Sequence, residues 1–248
     1  MDPKELHRTF ARPGNASIPP QSVLWSAAAT LWDCPMIRIF RCLALAALTF
    51  LVAAPAKAHP HVWVTMKSEV VYNADGTATG VRHAWTFDDM FSVFATQGLE
   101  AKEKGKFTRE ELAPLAQVNI ESMKEYDYFT SAHAGGDQVG FTTPTDYWLE
   151  FKDGLLTLHF TLPFEKPVKA KDLQVEMYDP TWFVDFSFAE KDPAQLVGAP
   201  ASCKLAVARP GEAQTQTQAR LGESFFQNLA PGSNYGAQFS NKISVTCP

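Results

Sequence analysis

The chain has 248 residues, with 22 basic against 27 acidic side chains and a formal charge of −5. No basic stripe and no Gly-rich phosphate loop offsets that balance, so nucleic acid is excluded as a partner. Six of the basic and three of the acidic residues precede Ala58, which leaves −8 on the remaining 190 residues, enough chain for one sizeable domain or two small ones.

Residues 1–35 show no usable periodicity and read as an upstream extension from an early start, with Met36 opening an export signal over 36–58. Arg38 and Arg41 give the positive flank, Leu43 to Ala54 an apolar run too short to span a bilayer, and Ala56-Lys57-Ala58 the A-x-A cleavage site. Phe40-Arg41 before Cys42 does not suit a lipid-modified cysteine. Cleavage would expose His59 as the first residue of a periplasmic, soluble protein, followed by Pro60 and His61.

A freed N-terminal histidine offers amine and imidazole to one ion, and His61 adds a second ring. Pro60 lacks the N–H that the square-planar amino-terminal copper or nickel site deprotonates, so the arrangement that remains is a brace. The competing reading is a solvated, flexible terminus. A hairpin follows. Val62, Val64, Met66 and Val70 alternate, Asn73-Ala74-Asp75-Gly76 turns, and Val81, His83, Trp85 and Phe87 alternate again. With a four-residue loop and coincident apolar faces, Val62 meets Phe87, Val64 meets Trp85, Met66 meets His83, and His61 meets Asp88. Asp88 then becomes a carboxylate ligand or a ring-orienting group beside His59 and His61. His83 shares the apolar face and enters the metal set only if the register slips by one. His159 reads as a surface residue, and His133 as a solvated one near a loop.

Glu100 to Glu111 has the layout of a calcium loop, with Gly105 at position six and Glu111 at twelve, but Lys102 and Lys104 stand where carboxylates belong. Calcium is not expected there. Thr108 and Glu111 form a capping box for a helix over 109–124, with Leu112, Leu115, Val118 and Met123 as its buried side. Strands follow at Tyr126–Ala132, Val139–Thr142, Tyr147–Phe151, Leu155–Phe164, Leu173–Tyr178 and Trp182–Phe188, with turns at Asp153-Gly154 and Asp179-Pro180. Val197–Pro210 and Ile243–Cys247 are further strands, Gln214–Asn228 a helix, and Pro231–Gly236 a loop. Two cysteines remain after the cut, and an even pair in an exported chain forms a disulfide, Cys203 to Cys247. A thiolate metal pair is the alternative that an oxidising compartment disfavours. The expected fold is mainly β (α+β), antiparallel sheets packed as a sandwich with one or two helices. Residues 59–190 form a β-rich N-terminal region, and 191–248 a C-terminal β subdomain.

The segments His59-Pro60-His61-Val62-Trp63, His83-Ala84-Trp85-Thr86-Phe87-Asp88, the Gly105–Leu112 loop and helix start, Glu125 to Thr130 and Tyr178 to Phe183 together resemble the domain of unknown function 1007 family. That resemblance covers the whole mature chain. It implies a periplasmic component of an uncharacterised ABC-type transport system, often found beside nickel/cobalt-type membrane transporters, and so the handling of a transition metal by His59, His61 and His83. The lysines of the calcium-like loop depart from the acidic residues of its relatives. Because the chain lacks two comparable α/β lobes, the transport label reads as context rather than mechanism. The expected function is a metal-binding accessory protein for a membrane metal transporter, with copper, zinc, nickel or cobalt as the ion. An interaction module that docks through exposed aromatics such as Trp63 and Phe183 is the alternative. No nucleophile elbow or H-E-x-x-H motif argues for an enzyme, and a copper oxidase built on the brace is the remaining enzymatic reading.

Overall fold

A computed structural model describes residues 61–103, 105–169, 171–211, 225 and 233–248. The signal segment, His59, Lys104 and most of the expected helix at 214–228 lie outside the described residues.

The hairpin forms as β1 (Val62–Tyr72) and β2 (Ala78–Phe87), antiparallel. Its register differs from the expected one by two residues: Val64 pairs with Phe87, Met66 with Trp85, and Ser68 with His83. Two local features each add one residue. The turn closes when the Asn73 amide donates to the Thr77 carbonyl, so the loop holds three residues and ends on Gly76 at φ +80°, a left-handed position that glycine adopts without strain. A bulge then leaves Thr79 without an opposite number between the pairs Tyr72–Ala78 and Val71–Gly80. At Gly80 a Cβ would come within 2.6 Å of the Leu162 carbonyl oxygen, so the neighbouring strand demands glycine there. Because the pleat repeats every two residues, a slip of two leaves the inner faces as expected, and Val64, Met66, Val70, Val81 and Trp85 are buried.

Helix α1 (Asp89–Thr96) follows β2 directly, and α2 (Arg109–Met123) opens on the expected capping box, with the Thr108 and Glu111 side chains each bound to the other's backbone amide. The buried face of α2 is Leu112, Ala116, Ile120 and Met123, while Val118 is exposed. The expected stripe of Leu112, Leu115 and Val118 advances by three, which lags a 3.6-residue turn by about 60° per step and walks out of the core. The expected strand at Tyr126–Ala132 is shorter. Asp127, Tyr128 and Phe129 take left-handed φ of 50°, 53° and 51° at a kink that turns the chain from the end of α2 into β3 (Thr130–Ala134).

The remaining strands are β4 (Asp137–Val139), β5 (Thr145–Lys152), β6 (Leu155–Val168), β7 (Asp172–Met177), β8 (Val184–Phe188), β9 (Ala194–Val197), β10 (Lys204–Ala208) and β11 (Asn241–Thr246). Asp153 and Gly154, both at positive φ, join β5 to β6 as a two-residue hairpin. One sheet runs β5-β6-β2-β1-β8 with β9 also on β1, and the other runs β10-β11-β7-β3-β4. The pairing is antiparallel except that β8 and β9 run parallel to β1. Inner faces of both sheets supply one core, in which Trp85 meets Phe160 and Phe186 edge-on. The segment 191–248 is not set apart from 59–190, since β11 pairs with β7 along its whole length. Cys203 and Cys247 form the expected disulfide beside the β10–β11 ladder.

Candidate functional site

Alternation along β1 sends Val62 and Val64 inward and His61 and Trp63 outward, and Trp63 stays 46% exposed. Parallel β8 lies alongside, with Trp63 next to Asp185, and the His61 amide donates to the Phe183 carbonyl at 2.9 Å. The His61 ring packs on the Phe183 ring, 4.7 Å between centroids, and Phe183 is itself 47% exposed. The histidine two residues after His59, the first residue past the expected cleavage site, is therefore anchored at the end of a sheet, through its backbone and through one face of its ring.

Asp88 is placed differently from the expectation. It stands across from Trp63 and not from His61, because its amide donates to the Trp63 carbonyl and its Oδ2 accepts from the Trp63 amide at 2.9 Å. Its Oδ1 caps α1 by accepting from the Phe91 amide at 2.8 Å. Both carboxylate oxygens thus bind backbone, and Asp88 ties the start of a helix to β1. His83 points the other way, into the core. Its Nδ1 meets the Ser68 hydroxyl at 2.9 Å, its Nε2 has no hydrogen-bond partner among the described residues, and Trp85 and Phe160 flank the ring. Burial pushes its pKa down to about 3, so the ring is neutral. The two-residue register shift kept it on the inner face, which separates it from His61. Among the described residues no group of three or more His, Cys, Asp or Glu side chains gathers as a metal site.

Asp185 is the neighbour that sequence reasoning missed. Val184-Asp185-Phe186-Ser187-Phe188 alternates, with Phe186 and Phe188 buried, so the pattern alone places Asp185 on the outer face with Trp63. Desolvation raises its carboxyl to about 6. The turn that delivers it is built on buried Asp179, whose Oδ1 accepts from the Thr181 amide and hydroxyl and whose Oδ2 accepts from the Val184 amide. Gly236 backs this turn so closely that a Cβ would lie 1.7 Å from the Asp179 carbonyl oxygen.

The other histidines lie elsewhere. His159, expected at the surface, is half-buried, stacked on Trp148 at 4.0 Å with its Nε2 3.6 Å from Glu150, and burial lowers its pKa. His133 pairs within β3 between β4 and β7. In the calcium-like loop the Glu111 carboxylate accepts from the Lys102 and Thr108 amides, so the residue at position twelve closes the loop onto its own backbone.

Residues 44–247 match the model of a family described as "Protein of unknown function (DUF1007)". The chain is also similar to an uncharacterized protein of Haemophilus influenzae, 21% identical over 193 residues that cover 77% of this chain and 91% of the relative.

Proposed function

The chain belongs to the DUF1007 family, and from its histidine-bearing sheet end we propose that it is an exported, periplasmic protein that binds a transition-metal ion on behalf of a membrane metal transporter. The observation that carries this reading is His61, exposed at the start of β1 and fixed to Phe183 by backbone and ring, two residues after the position at which export cleavage would free His59. An imidazole held in place loses little freedom on binding, and the amine and ring of His59 would complete a chelate with it. Asp88 fits poorly as a donor because its oxygens serve backbone amides, and His83 does not fit because it lies in the core. Copper, zinc, nickel and cobalt all accept such nitrogen ligands, and the ion is cargo in this reading.

The test is mass spectrometry of the exported protein under native conditions, followed by titration with Cu(II) and Zn(II). A terminus at His59 carrying one ion, with affinity lost when one glycine is inserted before His59, is the expected result. A product that begins elsewhere, or the same affinity after the insertion, refutes the brace.

A second reading has its own support. Helix α1 exposes Met90, Val93 and Phe94 at helical spacing, Met90 being 70% and Phe94 74% exposed, and Trp63 and Phe183 are exposed on the outer face of the first sheet. Apolar side chains left in water in this way suit an interaction module that docks on a membrane protein. That reading predicts partner binding that survives chelators, whereas the metal reading predicts that chelators change it.

A further inference from the structure

We propose that Asp185, and not Asp88, is the carboxylate donor of the ion site at the His61 end of β1. The inference rests on the metal-binding reading above and adds to it a ligand that the sequence did not bring into view.

Three observations carry it. First, the two side chains share a face of one sheet. Phe183 is the β8-side neighbour of His61, and Asp185 stands two residues further along, beside Trp63. Strands about 4.8 Å apart with a rise of about 3.3 Å per residue put the Cα atoms of His61 and Asp185 roughly 8 Å apart. One ion with bonds of about 2 Å to an imidazole and to a carboxylate spans that gap. Second, the Asp185 carboxylate is partly buried and has no hydrogen-bond or ion-pair partner among the described residues. The cation that could have answered it, Arg209, lines the same cleft but donates to the Ala189 carbonyl at 3.0 Å and lies over the Phe188 ring. A carboxylate withdrawn from water without a partner is costly, and such groups are held at sites that supply a counter-charge. Third, the competing carboxylate is already engaged: both oxygens of Asp88 accept backbone amides. Phe183 packs on the His61 ring and Trp63 pairs with Asp185 across the strands, so an aromatic residue stands beside each of the two groups.

The experiment uses the exported protein and its variants His61→Ala, Asp185→Asn and Asp88→Asn, titrated with Zn(II) and with Cu(II). Thermal midpoints are measured with and without ion. Asp185→Asn should weaken binding at least ten-fold, about as much as His61→Ala, while its ion-free midpoint equals or exceeds that of the wild type because an unpaired charge has been removed. Asp88→Asn keeps a capping side chain and should bind within about two-fold of the wild type. If His61→Ala weakens binding and Asp185→Asn does not, or if Asp185→Asn lowers the ion-free midpoint and Asp88→Asn is the variant that loses the ion, Asp185 is not the donor and the metal-binding reading survives. Absence of binding by the wild type overturns both.

Discussion

Replacing His83 with phenylalanine tests how this core responds to acid. In the folded protein burial holds the His83 pKa at about 3, against 6.5 for the free side chain. The group is neutral when folded, so only the unfolded chain takes up its proton between those values. Stability from this residue is therefore complete above pH 6.5 and is lost as the pH falls below it, down to about 3. At pH 5 the loss is about 2 kcal/mol, and at pH 4 about 3 kcal/mol, from 1.36 kcal/mol per pH unit. Asp185 acts in the opposite sense. Its carboxyl is raised to about 6 in the folded state, so it protonates there first and returns about 1 kcal/mol between pH 8 and pH 5. Asp185 therefore offsets part of the histidine's loss in the wild type, and a net loss of stability toward acid remains. His83→Phe leaves the Ser68 hydroxyl unpaired, at a cost of about 1–3 kcal/mol that does not vary with pH. It also removes the histidine's acid sensitivity. Urea unfolding followed by tryptophan fluorescence at pH 8 and pH 5 should show the destabilisation caused by His83→Phe shrinking by about 2 kcal/mol at the lower pH. A change below about 0.5 kcal/mol would mean that His83 is not a neutral buried group, and the reasoning fails.

Gly236→Ala should leave little folded protein, because the added Cβ would sit 1.7 Å from the Asp179 carbonyl oxygen in the turn that starts β8; soluble yield and a thermal melt check it. Reduction, or replacement of Cys203 and Cys247 by serine, should lower stability by about 4 kcal/mol, the loop-entropy value for a separation of 44 residues, read from the urea midpoint with and without reductant. Thr108→Ala removes one half of the capping box and should cost about 1 kcal/mol in the same assay. Millimolar calcium should leave the melting midpoint unmoved, because the Glu111 carboxylate is bound to the Lys102 and Thr108 amides; a rise of several degrees would refute that account of the loop.

Much of this molecule is written locally. The alternation of Val62, Val64 and Met66 against Trp85 and Phe87, the Asp153-Gly154 turn, the Thr108–Glu111 box and the pairing of Cys203 with Cys247 all follow from side-chain chemistry within a few residues or from elimination, and each appears in the fold. A pleat of period two forgives an error of two, which is why the buried faces were legible even though the pairing was not.

What only the tertiary structure decided is which residues meet across the sheet. The bulge at Thr79 is held in place by a close approach to β6, a strand more than 80 residues away, and nothing near Thr79 announces it. That one extra residue, with the tighter turn, moved Asp88 from opposite His61 to opposite Trp63, whose amide donates to its carboxylate. Parallel pairing of β8 with β1 brought Phe183 to His61 and Asp185 to Trp63 from about 120 residues further along the chain. Local patterns set the face a side chain takes, because the pleat is local; they do not set its neighbours, because register and strand order come from packing the whole chain at once.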